Sequence, residues 1–143
     1  MSRPHWKKHA HSHAREVALQ ALYQFDLGAH SAEDVVRLRW LSEPPEALDY
    51  CRSLILAVVA DWEGLNARIR LCSDKDYTQI STVVRCILRM AMHELDASGI
   101  PPAVLIDDYV NLARRYEGEE VTAFVHAIVD RHRREHDEVP SPA

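Results

Sequence analysis

Residues 80–102 read ISTVVRCILRMAMHELDASGIPP, and their spacing decides the fold class. Ile80, Val83, Val84, Ile87, Leu88, Ala91 and Leu95 recur at helical intervals, so they form one stripe on a helix and would scatter over both faces of a strand. Gly99 supplies a stop, and Pro101-Pro102 end the segment. The same period recurs outward in both directions. Upstream, Val17, Ala18, Ala21, Leu22 and Phe25 mark a first helix from a cap at Ser12 to Leu27, with Gly28 as its stop. Ser31-Ala32-Glu33-Asp34 has the form of a capping box that opens a short helix to about Leu41. Beyond Pro44-Pro45, Leu48, Cys51, Ile55, Val58 and Trp62 line a long helix, and Leu65, Ile69 and Leu71 a shorter one. Downstream, Ile106, Val110 and Ala113 face inward from a helix between about Ala103 and Tyr116. The last helix starts at Glu119-Glu120, where acids suit the positive end of the dipole, and its stripe is Val121, Phe124, Val125, Ile128, Val129 and His132. Phe124 and Ile87 are expected on the fully apolar sides of their helices. Strand signals are nearly absent, so the expected fold is all-α, a compact single-domain helical bundle of six to seven helices.

The 143 residues, 47% hydrophobic and 27% charged, suffice for one ordinary domain with a core of its own. No apolar run approaches the roughly 20 residues that span a bilayer. The N-terminus is charged without an apolar stretch, so neither a membrane partner nor secretion is indicated. Cys51, Cys72 and Cys86 are odd in number and lack CxxC spacing, which argues against a disulfide framework or a zinc site and for a reducing cytoplasm. The net charge of −5 opposes nucleic acid as a whole, yet it is unevenly spread. Residues 1–15 hold Arg3, Lys7, Lys8 and Arg15 and no acid, a local +4, which leaves −5 − 4 = −9 for the rest. His5, His9, His11 and His13 add charge to this stretch when protonated. Such a basic arm attracts phosphates locally while an acidic body repels them. The expected organisation is a flexible basic, His-rich arm over 1–13, a helical domain over 14–136 and a disordered tail over 137–143.

Catalytic signatures are missing: no GxxxxGK[ST], GxGxxG, HExxH or GxSxG occurs. Asp107-Asp108 and Glu119-Glu120 are adjacent in sequence and diverge on a helix, so they read as solvated faces and not as an acid/base pair. Cys86 reads as a core filler. His9, His11 and His13 alternate and could chelate zinc or nickel from an extended arm, but nothing pre-organises them. His126 and His132, six apart, read as structural. The expectation is a protein that is no enzyme and holds no cofactor and no metal.

Three ordered blocks then carry a resemblance. Residues 14–27, AREVALQALYQFDL, resemble the first helix of the NusB family of transcription antitermination factors. Residues 87–95, ILRMAMHEL, are similar to the family's ILRLAxYEL, and residues 106–130 resemble its INEAVELAKxFGxExxxKFVNGVLD. The resemblance implies an all-helical domain of two packed bundles. It also implies binding of single-stranded boxA-type leader RNA together with NusE, the ribosomal protein that doubles as an elongation factor. Ribosomal-RNA transcription and, indirectly, the RNA polymerase elongation complex follow from it. Carried over by position, Arg15 matches the end of the family's arginine-rich opening, Tyr23 its ALY tyrosine, and Glu120 an acidic position near the RNA-binding edge. Arg suits phosphates or guanine edges, and Tyr suits stacking on an unpaired base. Arg89 and Glu94 match ILR and YEL, equally as internal ion-pair residues.

Departures from the family pattern are specific. His11, Ser12 and His13 stand where the family has consecutive arginines, with Lys7 and Lys8 further out. Val84 replaces a polar position, His93 the tyrosine of YEL, and His126-Ala127 the NG of FVNG. The candidate RNA-binding set is Lys7, Lys8, His13, Arg15, Tyr23 and Glu120. The competing reading is a protein–protein scaffold of the same fold without specific RNA binding, and a homodimer stays open.

Overall fold

In a computed structural model the backbone is described for residues 4–138 and the side chains for residues 11–135. Seven α-helices and two 3-10 turns follow one another, and no strand occurs among the described residues. The helices are α1 (Pro4–Asp26), α2 (Ala32–Val36), α3 (Leu48–Ala60), α4 (Trp62–Cys72), α5 (Thr82–Ala97), α6 (Pro102–Glu117) and α7 (Thr122–Glu138). No described helix is long and apolar enough to cross a membrane. The helices gather into two compact units, residues 1–61 and 62–143, so the stretch expected as one domain holds two centres of packing.

In the first unit α1 packs along α3, and α2 closes against both. Ala14, Val17, Ala18, Ala21 and Leu22 are the buried stripe of α1, and Cys51, Leu54, Ile55 and Val58 that of α3. Helix α1 begins at Pro4 and not at Ser12. Nothing between Pro4 and Ser12 breaks a helix, and proline is favoured at a first helical position, where its missing N–H costs nothing. Most of the stretch expected as a separate arm is therefore continuous with α1. Ser31 caps α2 as expected, its hydroxyl accepting from the Asp34 N–H at 3.2 Å. That helix stops at Val36, short of Leu41, because Leu38 turns into the left-handed region at φ 57°. The Leu41 N–H then donates to the Leu38 carbonyl at 3.2 Å, closing a turn with Arg39 and Trp40 at its centre.

In the second unit α5 is central, packed by α4, α6 and α7. The sequence promised one apolar stripe. The helix is in fact buried nearly all round, through Val84, Cys86, Ile87, Leu88, Met90, Ala91 and Met92. Ser81 caps it, and α6 has Pro102 in its first turn. Trp62, expected to extend the third helix, opens α4 instead. Leu71 is exposed. Glu119-Glu120 form a 3-10 turn (Glu119–Val121) before α7. Helix α7 itself takes in residues 137 and 138 of the expected tail; the remainder lies outside the described residues.

Three buried polar side chains of this unit, Arg89, Glu94 and His132, have partners, whereas the buried Arg85 Nε has no hydrogen-bond partner among the described residues. Arg89, 1% exposed, donates from Nε to Asn66 Oδ1 at 2.8 Å and from a terminal nitrogen to the Tyr77 hydroxyl at 2.8 Å, with Trp62 3.8 Å from its guanidinium carbon. Tyr77 in turn donates to Asn66 at 3.1 Å, and Arg70 and Arg85 lie over its ring. Glu94 accepts from the Tyr109 hydroxyl. Arg89 and Glu94 are thus interior residues. So is His132, 2% exposed: Nε2 faces Asp96 at 2.9 Å and Nδ1 accepts from Arg68 Nε at 3.2 Å.

Candidate nucleic-acid interface

The expected RNA contacts divide between the units. Lys7 and Lys8 fall on the first turns of α1, and their side chains lie outside the described residues. His13 is exposed on the same helix, and Tyr23 is 37% exposed two turns beyond Arg15, about 12 Å along the axis. Arg15 is different. It is 2% exposed, donates to the Tyr50 hydroxyl at 3.0 Å and lies 5.6 Å from that ring's centroid. His11 stacks on the same ring, 4.2 Å away and 8° from parallel. The guanidinium is thus turned to the Tyr50 ring, on which His11 stacks. Sequence alone could not see this, because the partner ring comes from α3, 35 residues on.

Glu120 belongs to the second unit. It is exposed, and its Oε1 sits 2.7 Å from where a Cβ on Gly118 would stand. The neighbouring Glu119 accepts from Arg114 Nε at 2.7 Å, which holds its carboxyl below the usual range.

The second unit also carries a feature the sequence analysis missed. A groove of about 490 Å³ is lined by Cys72, Asp74, Lys75, Phe124, Ile128, Arg131 and Arg134, among others. Phe124, expected in the core, is only partly buried and forms part of this wall, with Lys75 Nζ 4.5 Å from its ring centroid. The Ser73 hydroxyl accepts from the Lys75 N–H at 2.9 Å and donates to the Lys75 carbonyl at 2.8 Å, which fixes the loop that presents the lysine. Arg131 donates to Glu135 at 3.0 Å and to the Cys72 carbonyl at 3.3 Å. Arg134 pairs with Asp130 at 3.1 Å. Glu135 is held below the usual carboxylate range by the Arg131 hydrogen bond first and by Arg68 after it. Asp130 is lowered chiefly by Arg133. Three cations around an accessible aromatic face can hold a phosphate chain and stack one base. The signal for it was the basic run at 131–134 lying three and seven positions after Ile128 and Phe124, on one side of a helix. Among the described residues no cluster of three His, Cys, Asp or Glu side chains could hold a metal ion.

Comparison with known proteins shows what the chain is similar to. The model of the NusB family matches residues 12–134. The transcription antitermination protein NusB of Sorangium cellulosum is 36% identical over 126 residues, covering 85% of this chain and 90% of the relative. A NusB structure from T. maritima superposes with a TM-score of 0.78 at 26% identity and 94% coverage of both chains. A chain from a crystal structure of antitermination factors NusB and NusE in complex with dsRNA superposes at 0.76 with 22% identity, over 89% of this chain and 98% of its own.

Proposed function

The chain belongs to the NusB family, and from that premise we propose that it is an RNA-binding transcription antitermination factor acting as a non-catalytic adaptor. It binds single-stranded, boxA-type leader RNA together with NusE, and through that complex it supports ribosomal-RNA transcription by the polymerase elongation complex in the cytoplasm. The observation that carries the RNA reading is the groove in which Lys75 covers the face of Phe124 beside Arg131 and Arg134. An unpaired base displaces the lysine from the ring, and the freed cation then meets the phosphate of that same nucleotide. Arg131 and Arg134 are already turned along α7 by Glu135 and Asp130, so they meet the backbone pre-oriented and trade one anion for another. On the first unit, Lys7 and Lys8 supply further phosphate contacts, and Tyr23 and His13 offer exposed rings. Arg15 acts through Tyr50 as a positioning residue. Glu120 keeps the strand's phosphates on the cationic side of the second unit by repulsion.

The test is titration of fluorescently labelled boxA-type RNA with the full chain, with and without NusE. Binding is expected to strengthen with NusE. Its affinity is expected to fall with salt, each neutralised phosphate of a single strand contributing about 0.7 to the log–log slope, so the three groove cations give roughly 2. RNA that fails to bind even with NusE present would leave the protein–protein scaffold reading in its place.

A further inference from the structure

We propose that the corner following α1 in the first unit is a seat for one unpaired RNA base, with Trp40 as its stacking face and Arg39 as its phosphate contact. This rests on the RNA-binding reading above and adds a site that reading does not use.

The corner is a cavity of about 240 Å³ lined by Gln24, His30, Asp34, Val35, Arg39 and Trp40. At about 30 Å³ per water it has room for roughly eight, which suits one planar heterocycle and not a folded segment. Trp40 remains 40% exposed although it is the largest apolar side chain of its turn. Arg39 is exposed and makes no ion pair or hydrogen bond among the described residues. Its neighbours behave otherwise: Arg37 pairs with Glu33 at 2.6 Å, and Arg52 donates to the Val36 carbonyl at 3.1 Å. Thus one cation of the corner is left for a ligand while the others serve the fold.

The backbone supports the same conclusion. Leu38 holds φ 57° while only 5% exposed, so packing of its side chain imposes a left-handed conformation that a leucine otherwise avoids. Strain kept in place by surrounding packing clusters at binding sites. Here it aims the two middle residues of the Leu38–Leu41 turn, Arg39 and Trp40, at the cavity. The lining also selects among ligands. Asp34 in the lining repels a bare phosphate, whereas the Gln24 amide, with donor and acceptor side by side, matches the polar edge of a base. A base therefore lies inward on Trp40, with its phosphate outward at Arg39.

The experiment uses the isotope-labelled full chain and a short unstructured RNA. The Trp40 indole N–H signal should shift on titration, apart from those of Trp6 and Trp62. Losing a stacked base weakens binding by about 5- to 150-fold, so Trp40→Ala should do so, and Trp40→Phe should recover most of the loss. Arg39→Gln should lower the salt slope by about 0.7. If the Trp40 signal stays still and Trp40→Ala binds as the parent does, the seat is refuted while binding at the Phe124 groove can stand. If RNA binds nowhere, even with NusE present, both readings fall. A Trp40 signal that moves with NusE in the absence of RNA, and no further when RNA is added, makes the corner a protein contact and overturns the proposal. Should Trp40→Ala fail to fold, Trp40→Phe, Arg39→Gln and the parent's own signal still decide.

Discussion

Replacing Phe124 by alanine separates the groove's role in binding from its role in the core. The ring is partly buried, with Lys75 Nζ 4.5 Å from its centroid. A fully buried phenylalanine costs about 3–5 kcal/mol on truncation, so a partly exposed one should cost about 2 kcal/mol. RNA binding should suffer as much or more. Loss of a stacked base is worth about 1–3 kcal/mol, which corresponds to a dissociation constant raised about 5- to 150-fold. Phe124→Leu keeps most of the volume without the flat face, and should restore stability but not affinity. Phe124→Tyr keeps the face and should bind nearly as the parent does. Fluorescence anisotropy of labelled single-stranded RNA at fixed salt gives the affinities, and urea denaturation gives the stabilities. Alanine and leucine variants that bind RNA as tightly as the parent would show that no base stacks there, and the groove would lose its standing as the RNA face.

Ile87 is fully buried on α5, so Ile87→Ala should destabilise by about 2–5 kcal/mol, read from the denaturation midpoint; a midpoint at the parent value would contradict the central placement of that helix. Burial pushes the Cys51 thiol up to about 11 from 9.0, so at pH 8 it should alkylate at least about 100-fold more slowly in the folded chain than in urea, as mass spectrometry can follow. Glu119 is held below its ordinary 4.5 by Arg114. The stabilisation it gives is therefore complete above that value and disappears as acid takes the carboxyl through its lowered pKa. Glu119→Gln should flatten the acid limb of the stability curve below about pH 4.5, and an unchanged limb would mean that the pair is idle.

Much of the fold was legible because helical spacing survives any packing arrangement. The stripe of α5, the serine cap of α2 and the stop after Ala97 were all on the page as residues. Depth was not. A stripe tells which side of a helix is covered, not how completely, which is why Phe124 looked like core and α5 looked half-solvated. Starts and stops that depend on distant packing were also hidden. Leu38 leaves the helical region under packing that no local propensity announces, and α1 runs back to Pro4 because nothing stops it. Of the candidate site, Tyr23 and Glu120 were named from the resemblance, and both are exposed. The burial of Arg15 could not be read, since charge says nothing about an aromatic partner 35 residues away.

The arrangement of Asn66, Tyr77 and Arg89 bears on how sequences of this kind drift. Three polar groups from α4, a 3-10 turn and α5 satisfy one another in the interior. Changing any one removes two of the three bonds and leaves only the third, at about 1–3 kcal/mol for each buried group left unpaired, whereas exchanging all three for apolar side chains of matching shape can be nearly neutral. Single steps away are therefore penalised although the destination is not. A lineage that acquired the trio would tend to keep it as a block, whatever became of the RNA it binds.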